Sequence, residues 1–327
     1  MIITKSPFRI SFIGGGSDLP SFFRNEEGAV LSTSINQYIY ISSHRFFAEN
    51  QIRLKYSQTE TVNSIQDIQH PIFREALRQF NMNAAVEISS NADIPSGSGL
   101  GSSSSFTANL LLNCYIRSNQ YISKEKLADN ACNIELNKLN EPIGKQDHYA
   151  AVYGGLNIII FKPSGTVEIQ PLCIKNKTKQ LLDQRLLMFY TGQQRSASAI
   201  LKYQNQAMLK EQKREVVKKM VSLVWDAKEA LYQDDLDRFG NVLAQNWELK
   251  KEISDKISNQ VINNYVDRGL AVGAEAAKLL GAGESGFLLF YCKESYQEAL
   301  RHELKELREL KFKFEDQGTR MIYYGDE

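Results

Sequence analysis

Cysteine is scarce in this chain of 327 residues, and the four cysteines present lie far apart. Cys114, Cys132, Cys173 and Cys292 show none of the paired spacings that a disulfide framework or a zinc site requires, so we expect reduced thiols. Histidine also occurs only four times, without metal-ligand spacing. The sequence therefore gives no sign of a metal centre built on cysteine or histidine.

An excess of charge of either sign is also missing, since the formal net charge is +1. This balance argues against nucleic acid or an anionic membrane as a partner. No apolar run is long enough to cross a bilayer, and the first residues lack the apolar core of a signal peptide. We therefore expect a globular, cytoplasmic protein, with the choice between monomer and homodimer left open.

The stretch from residue 91 to 112 holds a glycine loop that lacks the marks of the two common nucleotide-binding loops. No lysine precedes a hydroxyl residue, as a Walker A loop needs, and the alternate glycines Gly97, Gly99 and Gly101 do not have dinucleotide-loop spacing. The serines at 102–105 follow, and then an apolar helical face formed by Phe106, Leu110, Leu111 and Cys114.

This order predicts a flexible loop that feeds directly into the start of a helix. The first N–H groups of a helix have no partner within it and carry the positive end of its dipole, while glycines allow an anion to approach the backbone. The pattern thus predicts a phosphate cradle. A simple glycine–serine linker is the alternative. The strand-like run at 84–90 and the helix behind the loop speak against it.

The rest of the chain indicates an α+β protein in two parts. Short strands at 2–4 and 10–13, two strands within 28–43 and a hairpin at 155–170 precede a change of character near 175–181. Long helical patterns follow, and a helix is expected just before the glycines at 281–286. We place the domains at 1–178 and 179–327, the second as helices over one face of an antiparallel sheet.

Two carboxylates have patterns that leave two interpretations open. A helix predicted over 123–138 places Glu135 at the edge of its inward face, where a carboxylate needs a partner or must bend out into solvent. Asp147 precedes a short helix expected over 149–153, so it is either a simple N-cap or a functional group. His148, beside it, is expected to pack or face solvent.

Three glycine-rich segments resemble the signature motifs of the GHMP kinase superfamily. They are SPFRISFIGGGSD at 6–18, IPSGSGLGSSS at 94–104 and GAGESGFLL at 281–289. The resemblance implies a two-lobe fold, with an N-terminal lobe like domain 2 of ribosomal protein S5 and a C-terminal ferredoxin-like α/β sandwich. It also implies an ATP- and Mg²⁺-dependent small-molecule kinase.

The same resemblance implies roles for particular residues. Asp147 would act as general base on the acceptor hydroxyl, and Arg9 would hold it ionised and help neutralise the transferring phosphoryl group. Ser103 and Glu135 would hold Mg²⁺. The nucleotide phosphates would be bound by the second segment, namely Pro95, Gly97, Ser98, Gly99, Leu100, Gly101, Ser102, Ser103 and Ser104.

Shorter strings of the sequence resemble particular kinases of the superfamily and imply which substrate receives the phosphoryl group. The strings RISFIGGGSDLP, GKQD and TGQQRSAS are similar to those of bacterial sugar 1-kinases that act on D-glycero-D-manno-heptose 7-phosphate to supply nucleotide-activated heptose. Fucose and galactose kinases, and a non-catalytic sugar sensor, are the alternatives. Glu284-Ser285 departs from the usual glycines of the third segment. Substrate-binding residues would be Gly16, Ser17, Asp18, Lys145, Gly283 and Arg195, the last alternatively a surface residue.

Overall fold

The computed structural model describes residues 1–192 and 197–325. The strands are β1 (Ile2–Ile13), β2 (Gly28–Arg45), β3 (Ile52–Lys55), β4 (Thr59–Val62), β5 (Val86–Ala92), β6 (Leu156–Phe161), β7 (Val167–Pro171), β8 (Leu186–Tyr190), β9 (Ala274–Leu279), β10 (Phe287–Cys292), β11 (Arg308–Glu309) and β12 (Arg320–Tyr324). The α-helices are α1 (Pro20–Phe23), α2 (Pro71–Gln79), α3 (Ser102–Arg117), α4 (Lys124–Cys132), α5 (Gln146–Tyr153), α6 (Asn176–Gln184), α7 (Ala197–Ala207), α8 (Glu211–Tyr232), α9 (Leu236–Ile253), α10 (Gln260–Ala271) and α11 (Glu294–Glu303).

A large sheet organises the first half of the chain. Its order is β12-β1-β2-β5-β3-β4, and β6 with its hairpin partner β7 extends it along the other part of β2. We expected two strands within 28–43, but β2 is one strand of 18 residues that pairs first with β6 and then with β5. Each half of β2 thus has its own neighbour, which explains why the sequence looked like two segments.

The first strand corrects a second expectation. Two short strands separated by Pro7 were predicted, yet β1 continues through the proline. The pairing with β2 shifts register between Pro7 and Phe8. A register irregularity is one of the few places where a sheet tolerates a residue without an N–H group.

A smaller antiparallel sheet, ordered β11-β8-β10-β9, lies in the second half with long helices packed on it, as predicted. The segment before the third glycine loop was expected to be helical. It is strand β9 instead, since pairing with β10 overrides local helix propensity.

The end of the described chain returns to the large sheet. Strand β12 pairs with β1, with Ile2 opposite Tyr324, and Phe314 forms a bridge to Ile35. The boundary at 178/179 stays a prediction, and the strand that closes the chain lies in the first sheet. Within the described residues, no helix combines the length and apolarity that a membrane span requires.

Candidate active site

A cavity of about 710 Å³ lies between the elements of the two sheets. Its walls come from β1, the loop before α3, the start of α5, helix α9 and the third glycine loop. Most of the predicted site residues line it: Arg9, Gly16, Asp18, Pro95, Gly97, Gly99, Gly101, Ser102, Ser103, Ser104, Asp147 and Gly283. Residues far apart in sequence therefore meet around one space of a size typical for small-molecule ligands.

The glycine loop enters α3 as predicted. Gly97, Gly99 and Gly101 all have positive φ, and Gly101 occupies the position before the first helical residue in the left-handed conformation. The four serines at 102–105 begin the helix, and the N–H groups of the first three have no partner inside the helix. Leu100 is buried and its carbonyl accepts a hydrogen bond from Arg9 N at 3.1 Å, while Ser98 is buried behind the loop.

The second and third glycine loops contact each other through their backbones. A Cβ on Gly99 would lie 2.5 Å from the carbonyl oxygen of Leu280, and one on Gly281 would lie 2.6 Å from the Cα of Gly99. Only glycine fits on either side of this contact. Glu284, which replaces a usual glycine, is accommodated with φ at 62°.

This contact predicts that Gly99→Ala sharply lowers nucleotide affinity and activity, because the added methyl group must separate the two loops. Gly165→Ala is the matched control: Gly165 also has positive φ, but nothing lies within 4 Å of an added Cβ. It should cost only the backbone strain, about 1–3 kcal/mol of unfolding free energy. Calorimetric titration with an ATP analogue and thermal unfolding measure both effects. Equal loss of affinity in the two variants would contradict the role of the contact.

Ser103 and Glu135 form a pair at the start of α3. Ser103 Oγ donates to Glu135 Oε2 at 2.6 Å, and Thr107 Oγ1, one turn along the helix, donates to Glu135 Oε1 at 2.7 Å. Glu135 is 2 % exposed, so the interpretation of a rim glutamate in solvent is wrong. It lies in a π-helical segment, Asn133–Lys138, that continues α4, and such wide turns are frequent at functional sites.

His148 is the third side-chain partner of Glu135, and of the two placements expected from the sequence the structure shows the packed one. It is fully buried on α5, and its Nε2 donates to Glu135 Oε1 at 2.9 Å. Burial lowers the pKa of His148, but the neighbouring Cys132 sulfur and the Glu135 carboxylate raise it well above its ordinary value. Burial likewise favours neutral Glu135, but the charge and hydrogen bond of His148, with the two hydroxyls, hold the pKa of Glu135 below its usual range.

The Ser103–Glu135 pair fits a magnesium ion. One hydroxyl and one ionised carboxylate are hard oxygen donors, and Mg²⁺ typically takes only one or two carboxylates from the protein, with phosphates and water completing its shell. Within residues 1–192 and 197–325 no group of three or more His, Cys, Asp or Glu side chains is placed to hold a metal. A site that depends on substrate phosphates is consistent with that sparse set.

Arg9 and Asp147 form a two-pronged ion pair on the cavity wall. Arg9 Nε donates to Asp147 Oδ1 and Nη2 donates to Oδ2, both at 2.7 Å, while Nη1 donates to the Gly99 carbonyl at 2.7 Å. Arg9 is 4 % exposed, whereas Asp147 keeps 23 % of its side chain exposed toward the cavity. Asp147 lies in the first turn of α5 and is not its N-cap, which is Lys145. The arginine therefore fixes the Asp147 carboxylate beside the glycine loop that precedes α3, and it leaves that carboxylate accessible from the cavity.

Asp18 lies in the same wall, buried to 3 % exposure. Its Oδ1 accepts from Gly16 N at 3.0 Å and its Oδ2 from Gln146 N at 3.3 Å. Burial and the nearby Asp147 charge raise the pKa of Asp18, although both backbone hydrogen bonds oppose the rise. A Cβ at Gly144 would overlap the Asp18 carboxylate, so glycine is needed there.

Comparison with known proteins identifies the family. The model of the GHMP kinases N terminal domain matches residues 68–155 and that of the GHMP kinases C terminal domain matches 227–310, together just over half of the chain. The chain belongs to the GHMP kinases. It is accordingly a kinase, and kinases of this family use ATP as phosphoryl donor.

Individual relatives carry names from sugar metabolism. D-glycero-alpha-D-manno-heptose 7-phosphate kinase of Campylobacter jejuni is 27% identical over 326 residues, covering 95% of this chain and 96% of its own. Galactokinase of Pyrococcus furiosus is 22% identical, with 87% of each chain covered. The crystal structure of a D-glycero-D-manno-heptose 1-phosphate kinase from Bacteroides thetaiotaomicron matches with a TM-score of 0.82 over the full length of both chains at 22% identity, which supports the fold.

Two predicted substrate residues of this kinase, Ser17 and Lys145, are absent from the cavity lining. The Ser17 hydroxyl donates to the carbonyls of Gly14 and Ala29 and is fully buried. Lys145 Nζ donates to the Gly165 carbonyl at 2.6 Å, away from the cavity lining, so its position does not support contact with a substrate. Arg195 lies outside the described residues.

Two lysines of the second lobe line the cavity and were missed by sequence reasoning. Lys278, on β9, donates from Nζ to the carbonyls of Ser11 and Phe12 at 2.7 and 2.6 Å. Burial and the charges of Lys250 and Arg9 hold the pKa of Lys278 well below its ordinary value. Lys250, on α9, is 9 % exposed. Both looked like ordinary charges on regular elements, and no local signal marked them.

Part of the cavity wall is aromatic. The His70 ring lies 4.9 Å from the Tyr56 ring and 5.3 Å from the Phe106 ring, centroid to centroid, and all three line the cavity. Burial lowers the pKa of His70, so the neutral imidazole is favoured. The cavity wall therefore combines this aromatic group with the glycine loop before α3 and with the charged side chains of Asp147, Asp18 and Lys250.

Proposed function

We propose that this protein transfers the γ-phosphoryl group of ATP, with Mg²⁺, to the anomeric hydroxyl of D-glycero-D-manno-heptose 7-phosphate, giving the 1,7-bisphosphate. The product would serve the synthesis of nucleotide-activated heptose. One observation carries the proposal: Arg9, Asp147, Ser103 and the start of α3 line a single cavity, and Glu135 lies directly behind Ser103, which donates to its carboxylate.

The side chains that line the cavity support this reaction. The aromatic end at Tyr56, His70 and Phe106 suits the flat base of a nucleotide, because rings stack on one another. The start of α3, with its glycine loop, suits the phosphate chain. The terminal phosphoryl group would then point toward Asp147, where the acceptor hydroxyl binds.

In this arrangement Asp147 accepts a hydrogen bond from the acceptor hydroxyl and then its proton. Arg9 fixes both carboxylate oxygens of Asp147 and adds positive charge close to the transferring group. Ser103 and Glu135 hold Mg²⁺, which neutralises phosphate charge when bound. His148 and Thr107 orient Glu135 from behind, as partners outside the metal shell commonly do.

The choice of sugar rests on the relatives and on the acceptor end of the cavity. The Campylobacter relative bears the heptose 7-phosphate name over nearly the whole of both chains. Gly15 and Gly16 leave this end without side chains, and Asp18 offers a carboxylate to sugar hydroxyls.

An ADP-release assay with a panel of acceptors tests the proposal. The panel contains heptose 7-phosphate, heptose 1-phosphate, fucose and galactose, each with ATP and Mg²⁺. We expect the highest kcat/KM for heptose 7-phosphate, and phosphorus NMR of the product should show a second phosphate on the anomeric carbon. Heptose 1-phosphate is a necessary comparison because the Bacteroides protein is named for that sugar phosphate. No turnover of heptose 7-phosphate would refute the assignment.

A further inference from the structure

Lys250 is a buried ammonium group that the reaction described above does not use. Its Nζ donates to the Gly15 carbonyl at 3.0 Å and to Gln204 Oε1 at 3.2 Å, and its side chain lines the cavity. An ammonium group has three N–H donors, so one remains after these two bonds. A buried charge is costly to keep, and apolar residues of similar volume are often at least as stable.

Gln204 holds the lysine from a third element. It is 1 % exposed, and its Nε2 donates to the carbonyl of Ala282 at 2.7 Å, which turns its oxygen toward Lys250. Helix α7, helix α9 and the third glycine loop thus meet at one ammonium group. The position of Nζ is set by contacts from several sides and does not depend on a flexible surface side chain.

The space beside Lys250 is left open by Gly16. A Cβ on Gly16 would lie 3.4 Å from Lys250 Nζ and 4.0 Å from Gln204 Oε1, so even a small side chain would fill the approach to both polar atoms. Without one, a ligand can reach Nζ from the cavity.

The charges nearby favour a hydroxyl ligand over a phosphate. Asp18 accepts a hydrogen bond from the Gly16 N–H, and its carboxylate is the nearby negative charge that acts on Lys250. A phosphate dianion placed between them would be repelled by Asp18. Two neighbouring sugar hydroxyls match the pair well, because one can donate to the carboxylate while the other accepts from the ammonium group.

We propose that Lys250, held by Gln204, is a specificity-determining residue that donates a hydrogen bond to a ring hydroxyl of the sugar acceptor. Asp18 accepts from a neighbouring hydroxyl of the same ring. The proposal rests on the proposed function, since it concerns the acceptor of that reaction.

The test compares Lys250→Met with wild type on heptose 7-phosphate and on a set of its monodeoxy analogues. A site that hydrogen-bonds a hydroxyl discriminates strongly against the analogue lacking it, by about 100-fold or more in kcat/KM. We expect wild type to reject one analogue in this way and Lys250→Met to lose that discrimination for the same analogue alone. Lys251→Met is the matched control, since Lys251 faces outward and pairs with Glu248. It should behave as wild type.

Three results would overturn the proposal. One is unchanged discrimination against every deoxy analogue in Lys250→Met. Another is a loss of discrimination between phosphorylated and unphosphorylated heptose instead, which would assign Lys250 to the phosphate. In both cases the kinase assignment stands. Failure of wild type to phosphorylate any sugar would refute both proposals, so the two failures are distinguishable.

The pH dependence gives a second readout. Burial lowers the pKa of Lys250 to about 8, although Asp18 opposes this. The ammonium group, with its third N–H free for the sugar, is therefore present below about pH 8. Above that pH the neutral amine keeps only the two N–H groups that bond Gly15 and Gln204, so KM for the sugar should rise as the pH passes 8. Asp18, Asp147, Arg9 and Lys278 also face this region, so the rise in KM must be absent in Lys250→Met to be assigned to Lys250.

A second variant tests the proposal if Lys250→Met fails to fold. Gln204→Leu removes the acceptor that orients the ammonium group and should weaken the same discrimination among deoxy analogues. Wild-type discrimination in Gln204→Leu would overturn the proposal.

Discussion

Replacing Asp147 by asparagine is expected to lower kcat by about 10²–10⁴-fold, the usual contribution of a general base. The amide has nearly the shape of the carboxylate but cannot take the proton of the acceptor hydroxyl. Because the phosphate loop and the Ser103–Glu135 pair do not change, the affinity for an ATP analogue should stay near the wild-type value. Steady-state kinetics with heptose 7-phosphate and calorimetric titration with the analogue measure the two quantities.

A control separates the role of Asp147 from a general loss of charge. Asp226→Asn removes an exposed carboxylate that lies 3.7 Å from Arg238, far from the cavity lining, and should leave kcat unchanged. Because Asp147→Asn leaves the buried Arg9 without its charged partner, thermal unfolding is needed to show whether the variant keeps its fold. Turnover near the wild-type rate in a folded Asp147→Asn protein would remove the base assignment.

The second large effect is expected from Glu135→Gln. The amide keeps the volume but loses the charge that a magnesium ion needs, so the Mg²⁺ concentration for half-maximal rate should rise at least about tenfold. We expect kcat to fall by about 100-fold or more, a loss typical of removing one group that stabilises charge in the transition state. Titration of the rate with Mg²⁺ at saturating ATP gives both values.

Thr107→Val provides the matched comparison for Glu135→Gln. It removes one hydrogen bond to Glu135 Oε1 but leaves the carboxylate in place. If Glu135 only supports the fold, the two variants should lower the melting temperature while the Mg²⁺ dependence stays as in wild type. A metal ligand predicts a strong shift for Glu135→Gln and at most a small one for Thr107→Val. An unchanged Mg²⁺ titration in Glu135→Gln would exclude the ligand role.

The glycine loop before α3 and the start of that helix could be predicted because the residues that form them are neighbours in the sequence. Alternate glycines with positive φ, a run of serines and an apolar helical face are all written within 91–114. Asp147, Arg9 and Glu135 carried too little local information to be assigned. Their roles came from resemblance to a family. The structure places Arg9 and Asp147 in the cavity wall, and Glu135 behind Ser103 of that wall.

The residues that were missed depend on contacts between distant segments. Lys250 and Lys278 approach the first strand and its glycines across more than 230 residues of sequence. Apart from the Gln204 side chain that bonds Lys250, their hydrogen-bond partners are backbone carbonyls, which any sequence possesses and no pattern reveals. His148 was expected to pack or face solvent, and it packs, but its contact with Glu135 was not predicted because the two residues lie in different helical segments.

The wide helical turn that carries Glu135 has a consequence for the length of this segment. A π-helical turn holds one more residue than the α-helical turn it replaces. Deleting Asn133 or Ile134 would rotate the Glu135 carboxylate by about 100° around the helix axis relative to α4. Ser103, Thr107 and His148 would then face an empty place. Substitutions at solvent-facing positions are tolerable here, but a change in residue count by one is not.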